Sequence, residues 1–564
     1  MAARRKTVRA ITLLGRLERL KSTYGGDASS GKRELLQRLD RRQLGTLGQV
    51  ARLHEVLCFL RAYPDDRRVL AAVERMLRGF DGRRDLRRHA AKLADTGIAG
   101  TRIHFPFFFF TAIWLAGRWP EHLHIDWSEF ENAEKVDDLL QFLVPYSETP
   151  GLDMVAYTPR QWLAKLKGPR ETDATFLIRR FQALKADDFA RELMYENLDV
   201  PLLITPGSDT PARTRAKDAG ARVVYQTAPL MRARPDLMTE VERPPVAVRT
   251  VSRARGEELA DLMRGAMVTR ERDLYTFSHA NANDVRMVDC GGGLQFACFG
   301  TIPQRRLILE ALYGFLSLKN GVPIGYVLAS SLFGSTEVAY NVFESFRDAE
   351  AGAVFGRVLG TARHLFGADA FAIDPYQLGY DNEEGLQSGA WWFYYKFGFR
   401  PIHPYVCKLV RSELRKMKRN PRHRSSVETL NELASEPMYW YSEGPRSDVM
   451  LRLPLGQIGL KISRYLAKRF GAEREAGIET CAQEAARALG VRLTGLNRNE
   501  RLAWARWSPL VRILPGVGRW STADRRAAAR VILAKGARRE TDFVELFDRH
   551  ARLRRAVVRL ARGR

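Results

Sequence analysis

The chain is poor in cysteine, with five cysteines in 564 residues. They are Cys58, Cys290, Cys298, Cys407 and Cys481. Their number is odd, their spacing is wide and no Cys-x-x-Cys pair occurs, so neither a disulfide framework nor a zinc site is indicated. We therefore expect no metal site and a reducing compartment, which indicates the cytoplasm.

The chain also lacks a long apolar run. Its most apolar stretch, residues 105–117, has 13 residues, whereas a helix needs about 20 apolar residues to cross a bilayer. This stretch therefore predicts a buried core segment. Residues 1–21 have leucines at helical spacing between charges and lack the continuous apolar core of a secretory signal. The sequence predicts a soluble protein.

Acidic residues are fewer than basic ones. The chain has 65 Asp and Glu and 91 Lys and Arg, so its net charge is +26. A basic excess raises the local concentration of polyanions such as nucleic acid or anionic lipid, but it does not determine the fold. Two interpretations stay open, which are a soluble protein of arginine-rich composition and a dedicated nucleic-acid binder. Hydrophobic residues make up 45%, which is ample for folded cores.

The length suggests three or four domains. Hydrophobic periodicity divides the chain into a helical N-terminal region at 1–135, a mixed α/β region at 136–243, a central domain at 244–412 and a basic helical region at 413–564. In the second segment, a turn at residues 206–209 precedes Arg213 and Arg215, and it is either an ordinary surface turn or an anion-binding loop. Residues 550–564 predict a basic amphipathic helix that either packs on its own domain or lies on anionic lipid or nucleic acid.

The central segment begins with an antiparallel pair. Asn320-Gly321 lies between two apolar runs, and Asn-Gly is the favoured type I′ hairpin turn. A third strand is predicted at residues 337–343, with Val338, Tyr340 and Val342 on one face and Glu337, Ala339 and Asn341 on the other. The pattern thus predicts a meander of three strands.

A helix is predicted after residues 346–352, because apolar residues recur on one side of it and Gly367 is placed as a C-terminal glycine. A short strand follows at residues 370–373, and a second helix leads to Gly398-Phe399. A final strand is predicted at residues 402–410. The basic run at 411–424 is predicted to be an exposed helix or linker.

This order of elements resembles the GNAT superfamily of N-acyltransferases. The family has a turn of the form Arg-x-x-Gly-x-Gly or Ala, in which Arg347 takes the arginine position, Gly352 the last small position, and Glu350 replaces the central glycine. The family's later pattern, Asn-x-x-Ala-x-x-x-Tyr-x-x-x-Gly-Phe, is matched by Ala390, Tyr394, Gly398 and Phe399, with Gln387 in the Asn position. The resemblance implies an α/β GNAT-like central domain with a mixed, mostly antiparallel, splayed sheet, flanked by mainly helical regions.

The resemblance also implies a co-substrate, acetyl-CoA or another acyl-CoA, whose pyrophosphate would lie at the start of the helix after the turn. The residues placed there are Val342, Arg347, Ala351, Gly352 and Ala353. Tyr394 would protonate the leaving thiolate as general acid. Glu344 and Glu337 are the candidates for a general base, although each is also an ordinary strand carboxylate.

The function expected from this resemblance is transfer of an acyl group, most simply acetyl, to an amine on a small molecule or protein by direct attack in a ternary complex. One alternative is a non-catalytic GNAT-like module in a basic scaffold that binds nucleic acid or protein partners. Glu350 favours that alternative, because a carboxylate repels a pyrophosphate unless it is turned away. Another alternative is an aminoacyl-transferase of similar fold that uses charged tRNA. The net positive charge of the chain would suit the binding of tRNA.

Overall fold

The computed structural model describes residues 10–563. The chain forms two compact units, each assembled from several segments. The first takes in the described part of Met1–Leu230 together with Glu257–His279 and Lys319–Pro323. The second takes in Met231–Gly256, Ala280–Leu318 and the described part of Ile324–Arg564. The finer division of the chain into four segments stays a prediction.

The first unit is mainly helical. Its helices are α1 (Ala10–Leu20), α2 (Ala28–Asp40), α3 (Leu47–Ala62), α4 (Arg67–Arg78), α5 (Arg84–His89), α6 (Phe109–Arg118), α7 (Lys135–Leu143), α8 (Thr149–Met154), α9 (Pro159–Leu166), α10 (Asp173–Ala183) and α11 (Asp188–Glu196). Its strands β1 (Ile103–Phe105), β2 (Leu123–Ile125) and β3 (Leu202–Ile204) form an antiparallel sheet in the order β1-β3-β2.

Two apolar cores support this unit. One is formed by α1 to α4, and it buries the face of α3 that includes Leu53, Leu57 and Leu60. The other surrounds the small sheet and includes Phe107 and Phe109. The apolar stretch at 105–117 is therefore part of a core, as its length predicts.

The second unit is built on an open sheet. In chain order its strands are β4 (Ala247–Thr250), β5 (Ala280–Gly291), β6 (Leu294–Thr301), β7 (Ala311–Lys319), β8 (Val322–Leu332), β9 (Ser335–Val342), β10 (Ala370–Ile373), β11 (Arg400–Pro401) and β12 (Met438–Tyr441). Within the described residues the strand order is β11-β12-β10-β9-β8-β7-β6-β5-β4. The pairing of β9 with β10 is parallel, whereas the pairs on either side of it are antiparallel.

The remaining helices follow β3 in the chain, and two of them, most of Arg253–Val268 and all of Tyr275–Ser278, belong to the first unit. They are α12 (Leu237–Glu242), α13 (Arg253–Val268), α14 (Tyr275–Ser278), α15 (Ala351–Phe366), α16 (Pro375–Leu378), α17 (Glu383–Ser388), α18 (Ala390–Lys396), α19 (Pro404–Arg419), α20 (Val427–Ala434), α21 (Gly456–Phe470), α22 (Arg474–Leu489), α23 (Arg498–Ile513), α24 (Thr522–Ala534), α25 (Glu540–Arg549) and α26 (Ala551–Arg562). The fold is thus mixed α/β with a large, mostly antiparallel open sheet, as predicted. No helix in residues 10–563 combines the length and the apolar character that a bilayer crossing requires.

Several local predictions are confirmed. Asn320 and Gly321 both have positive φ, 51° and 79°, as a type I′ turn requires. Helix α15 buries the predicted apolar side, and Gly367 ends it in the left-handed conformation at φ 65°. Helix α26 buries Leu553, Val557 and Leu560 within the second unit, so its apolar face is already covered. Residue 564, at the end of the predicted basic helix, and residues 1–9 lie outside the described range.

The predicted strand at residues 402–410 is wrong, because α19 occupies that position. Pro404 takes the first helical turn, where its missing N–H costs nothing, and a proline is poorly suited to a strand interior. Val406, Val410 and Glu413 then recur on the buried side of the helix. The basic run at 411–424 is the second half of α19 followed by a loop. On the side of β10 away from β9, the neighbouring strand is β12.

Candidate active site

The pairing of β9 with β10 is short. The two strands pair in parallel only at Ser335–Glu337 with Ala370–Ala372, and β9 then continues to Val342. Within the described residues, no strand pairs with this last part of β9 on the β10 side. The edge of β9 from residue 338 onward therefore has no strand beside it, and we call this unpaired edge the opening.

The backbone of β9 presents hydrogen-bonding groups to this opening. In an antiparallel pair, alternate residues direct their N–H and C=O toward the partner strand. Phe343 N donates to Ile324 O on the β8 side, so the alternation turns the groups of Tyr340 and Val342 toward the opening. An extended ligand could pair with the Tyr340 C=O and the Val342 N–H as an added strand does.

Tyr394 on α18 reaches this edge. Its hydroxyl oxygen accepts a hydrogen bond from the backbone N–H of Tyr340. The ring is 3% exposed and packs against Phe355 and Phe399, at centroid distances of 5.5 and 5.9 Å. Burial raises the pKa of Tyr394, so the hydroxyl stays protonated at neutral pH. It can therefore act as a proton donor in the opening.

The predicted pyrophosphate turn leads into α15, a helix of 16 residues. Ala351, Gly352 and Ala353 form its first turn and are half-buried, while Ala351 O accepts the Tyr340 hydroxyl at 2.9 Å. The first N–H groups of a helix have no partner within the helix, and the helix dipole favours an anion there. The start of α15 thus has the general character of a phosphate site.

Arg347 lies on the exposed side of this turn. Its Nε donates to Val342 O at 3.3 Å, and its guanidinium pairs with Glu384 on α17. The pair is about 40% exposed at both side chains, and such surface pairs contribute little to stability. Arg347 can therefore exchange Glu384 for a phosphate at low cost.

The carboxylate of Glu350 accepts a hydrogen bond from Met231 N at 3.2 Å. The segment that follows Met231 stays close to α15, because a Cβ added at Gly352 would lie 3.8 Å from Pro235 Cδ. Phe397, which follows α18, is also close, with its Cζ 3.1 Å from the same added Cβ. Arg234 of the same segment donates to Lys396 O. The first turn of α15 is thus partly covered by Pro235 and Phe397.

Glu337 occupies the end of the paired part of β9. Tyr340 stacks on Phe355 of α15, so by alternation Glu337 is on the opposite face of the sheet. Burial, with smaller contributions from Asp374 and Glu310, raises the pKa of Glu337 to about 7. A carboxyl with this pKa changes between acid and base near neutral pH, as a general base needs.

Glu344, the other candidate base, lies in a short 3-10 turn, Glu344–Phe346, and is exposed. Its surroundings do not resemble those of Glu337, because water can reach its carboxylate. The opening therefore brings Tyr394, Val342 and the start of α15 to one strand edge, and it leaves Glu344 at the surface beyond that edge.

Sequence reasoning missed the groups around Glu337. Tyr439 on β12 is opposite Ala372, which itself pairs with Glu337, and burial raises the pKa of Tyr439. The signal was present, since Met438-Tyr439-Trp440-Tyr441 is a run of β-favouring aromatics directly after Pro437. Asp374 follows β10 as the N-cap of α16, a placement that only strand order reveals.

Comparisons of the chain with protein-family models, with curated proteins and with solved structures find no match.

Proposed function

We propose that the chain is an acyl-CoA-dependent N-acyltransferase that moves an acyl group, most simply acetyl, to an amine. The amine nitrogen attacks the thioester carbonyl, and the carbon–sulfur bond breaks. Glu337 takes the proton that the amine loses, and the Tyr394 hydroxyl protonates the departing thiolate. The products are an amide and free coenzyme A, and the phenolate recovers its proton from water.

One observation carries this proposal. The parallel pairing of β9 with β10 stops after three residues, and Tyr394 points its hydroxyl at the unpaired edge. A GNAT-type enzyme would use such an opening to pair the pantetheine arm with the strand edge. Tyr340 N–H donates to the Tyr394 hydroxyl and Val342 O accepts from Arg347 Nε, so Val342 N–H and Tyr340 C=O are the groups that would pair with the arm. The first turn of α15 with Arg347 suits the pyrophosphate.

A non-catalytic module that binds a protein or nucleic acid is the second candidate. It is favoured by the segment at Met231–Pro235, which lies beside the first turn of α15 and takes the Glu350 carboxylate on Met231 N. The segment restricts the approach to Gly352, which favours the module over the enzyme. Binding of acyl-CoA decides between the two.

The decisive experiment is thermal unfolding of the full chain with acetyl-CoA, longer acyl-CoA species and, as a separate arm, charged tRNA. A ligand that binds only the native state stabilises it, by about 2.7 kcal/mol at a hundredfold excess over Kd. We expect acyl-CoA to raise the melting temperature.

The matched variants are Arg347→Ala and Glu384→Ala, which break the same surface ion pair from opposite ends. If Arg347 holds the pyrophosphate, Arg347→Ala loses the shift, while Glu384→Ala keeps or increases it. The acyltransferase proposal fails if no acyl-CoA produces a shift at millimolar concentration, and a shift with charged tRNA alone would favour the tRNA-dependent reaction.

A further inference from the structure

The first unit contains a cavity of about 700 Å³ that is lined by Ser208, in the turn at residues 206–209, and by Arg215, and by none of the residues of the proposed acyl-CoA site. Its walls come from the end of α3, the last turn of α4 and the irregular chain between β3 and Val223. Small-molecule sites commonly have volumes of about 300 to 1,000 Å³. The cavity is thus large enough for a ligand the size of a nucleotide.

The walls carry an excess of positive charge. The charged residues that line the cavity are Arg61, Arg78, Arg215, Lys217, Glu74 and Asp81, four cations against two carboxylates. Glu74 is paired with Lys217 at 2.6 Å, and Asp81 lies 4.0 Å from Arg215. Each carboxylate therefore has a cationic partner, whereas Arg61 and Arg78 have no carboxylate partner among the described residues.

Arg61 is the buried one of these two. It is 3% exposed, and its guanidinium donates to Thr214 O at 2.7 Å, Arg213 O at 3.0 Å and Ala216 O at 3.2 Å. Among residues 10–563 it has no carboxylate partner, and its Nε has no hydrogen-bond partner. A buried cation without a counter-charge is costly, so its field favours an anion nearby.

Arg78 is the exposed one, at the end of α4. Its Nε donates only to Glu74 O within its own helix, and it forms no ion pair with any described residue. Arg215 adds to the charge of the irregular wall, where it donates to Gly207 O and Thr210 O. Burial lowers the pKa of Arg215, with Asp81 and Asp209 offsetting part of that effect.

The irregular wall is held in place before any ligand arrives. Arg61 fixes three of its carbonyls, Arg213 N donates to Gly97 O, and Asp218 N donates to Gly321 O. A site whose walls are already ordered loses less entropy on binding. Leu77, Ala99, Ala221 and Val223 supply an apolar part of the lining.

We propose that this cavity binds an organic phosphate with at least two negative charges and an apolar or aromatic portion. The phosphates would lie between Arg78 and Arg215, because arginine guanidinium groups match phosphate oxygens in geometry and charge. The positive charge of the buried Arg61 would attract them electrostatically. The apolar lining would take the organic portion. This site is independent of the opening beside β9.

The test is calorimetric titration of the full chain at near-physiological salt with ADP, pyrophosphate and uncharged adenosine. We expect ADP to bind more tightly than pyrophosphate, and adenosine to bind only weakly. Arg78→Glu should weaken ADP binding by about tenfold or more, since it replaces a charged contact by a repulsive one. Arg78→Gln should weaken it less and in the same direction.

The control is Arg68→Glu, which makes the same change of charge on the same helix at an exposed residue away from the cavity. It should leave the ADP affinity within about twofold, because an exposed charge beyond a Debye length is largely screened. Equal weakening by Arg68→Glu and Arg78→Glu would overturn the proposal, as would the absence of ADP binding at several millimolar. Arg347→Ala separates this cavity from the acyl-CoA site: ADP bound in the cavity should keep its affinity in this variant, whereas ADP bound beside α15 would lose it, and loss of ADP binding in Arg347→Ala would overturn the proposal.

Discussion

At the scale of single residues, Tyr394 and Glu337 carry the proposed chemistry, and each has a burial that suits its role. Tyr394 is kept protonated by its apolar surroundings. Glu337 is held between protonation states near pH 7. Both effects arise mainly from desolvation, which disfavours the charged form of an acid.

We expect Tyr394→Phe to keep the fold and the affinity for acyl-CoA but to slow turnover by about 10²-fold or more, because only a proton donor is removed. Steady-state rates and melting temperature should be measured together. Tyr195→Phe is the matched control, since it also removes a buried hydroxyl, one that lacks a hydrogen-bond partner in the described chain. If turnover of Tyr394→Phe is unchanged while stability falls, Tyr394 is only a core ring.

Ionisation of Glu337 should give the pH profile of kcat/KM an ascending limb. A base with a pKa of about 7 is protonated below that pH, so we expect kcat/KM to rise between about pH 6 and 8 and then to level off. Glu337→Gln should lower the rate and abolish this limb. A profile that keeps the same limb in Glu337→Gln would assign the base to another group.

The same residue predicts a change in stability. Its pKa is raised in the folded state, so the folded chain binds more protons than the unfolded chain between about pH 4.5 and 7. The stability that this protonation gives is present at low pH and is lost as pH rises through 7. We expect Glu337→Gln to be more stable than the wild type at pH 8, by roughly 1 to 3 kcal/mol. At pH 4.5 the variant and the wild type should have about the same free energy of unfolding. Denaturant unfolding at the two pH values measures the difference.

At the scale of elements, α15 is positioned by a close contact with α12. A Cβ added at Gly360 would lie 2.5 Å from Glu240 O, and one added at Gly356 would lie 3.0 Å from Glu240 Cβ. Arg357 supports the contact by donating to Arg243 O and Pro244 O, at 2.8 and 3.1 Å. Gly356 and Gly360 therefore allow the close packing of α15 against α12, whether or not a ligand binds.

Gly360→Ala should destabilise the second unit by about 1 to 3 kcal/mol, because the added methyl group meets backbone that cannot move freely. Gly459→Ala on α21 is the control, since nothing lies within 4 Å of the added Cβ, and replacing a helical glycine by alanine stabilises by about 0.5 to 1 kcal/mol. Chemical denaturation should show opposite signs for the two variants. A neutral Gly360→Ala would mean that α12 can shift away from α15.

At the scale of the whole molecule, the surplus of basic residues should make any binding to polyanions sensitive to salt. The net charge is +26, and exposed arginines such as Arg555 and Arg559 on α26 are among its sources. Retention on heparin or nucleic acid should fall steeply with increasing salt, through release of counterions. Retention that does not change with salt would show that the charge is not presented as a patch.

The sequence by itself determined the features that depend on short-range physics. The type I′ turn at Asn320-Gly321 follows from two residues that accept positive φ. The buried side of α15 and its end at Gly367 follow from periodicity and a left-handed glycine. The mixed α/β class with mainly helical flanks follows from the same local patterns.

Only the tertiary structure decided which distant segments meet. Residues 402–410 are apolar enough for a strand, but Pro404 and burial at Val406 and Val410 make them a helix, and β12 takes the place beside β10. The strand order also decided that β9 keeps an open edge and that Glu337 is partly buried near Asp374 and Glu310. Strand pairing and desolvation depend on residues far apart in the chain, so no local pattern contains them.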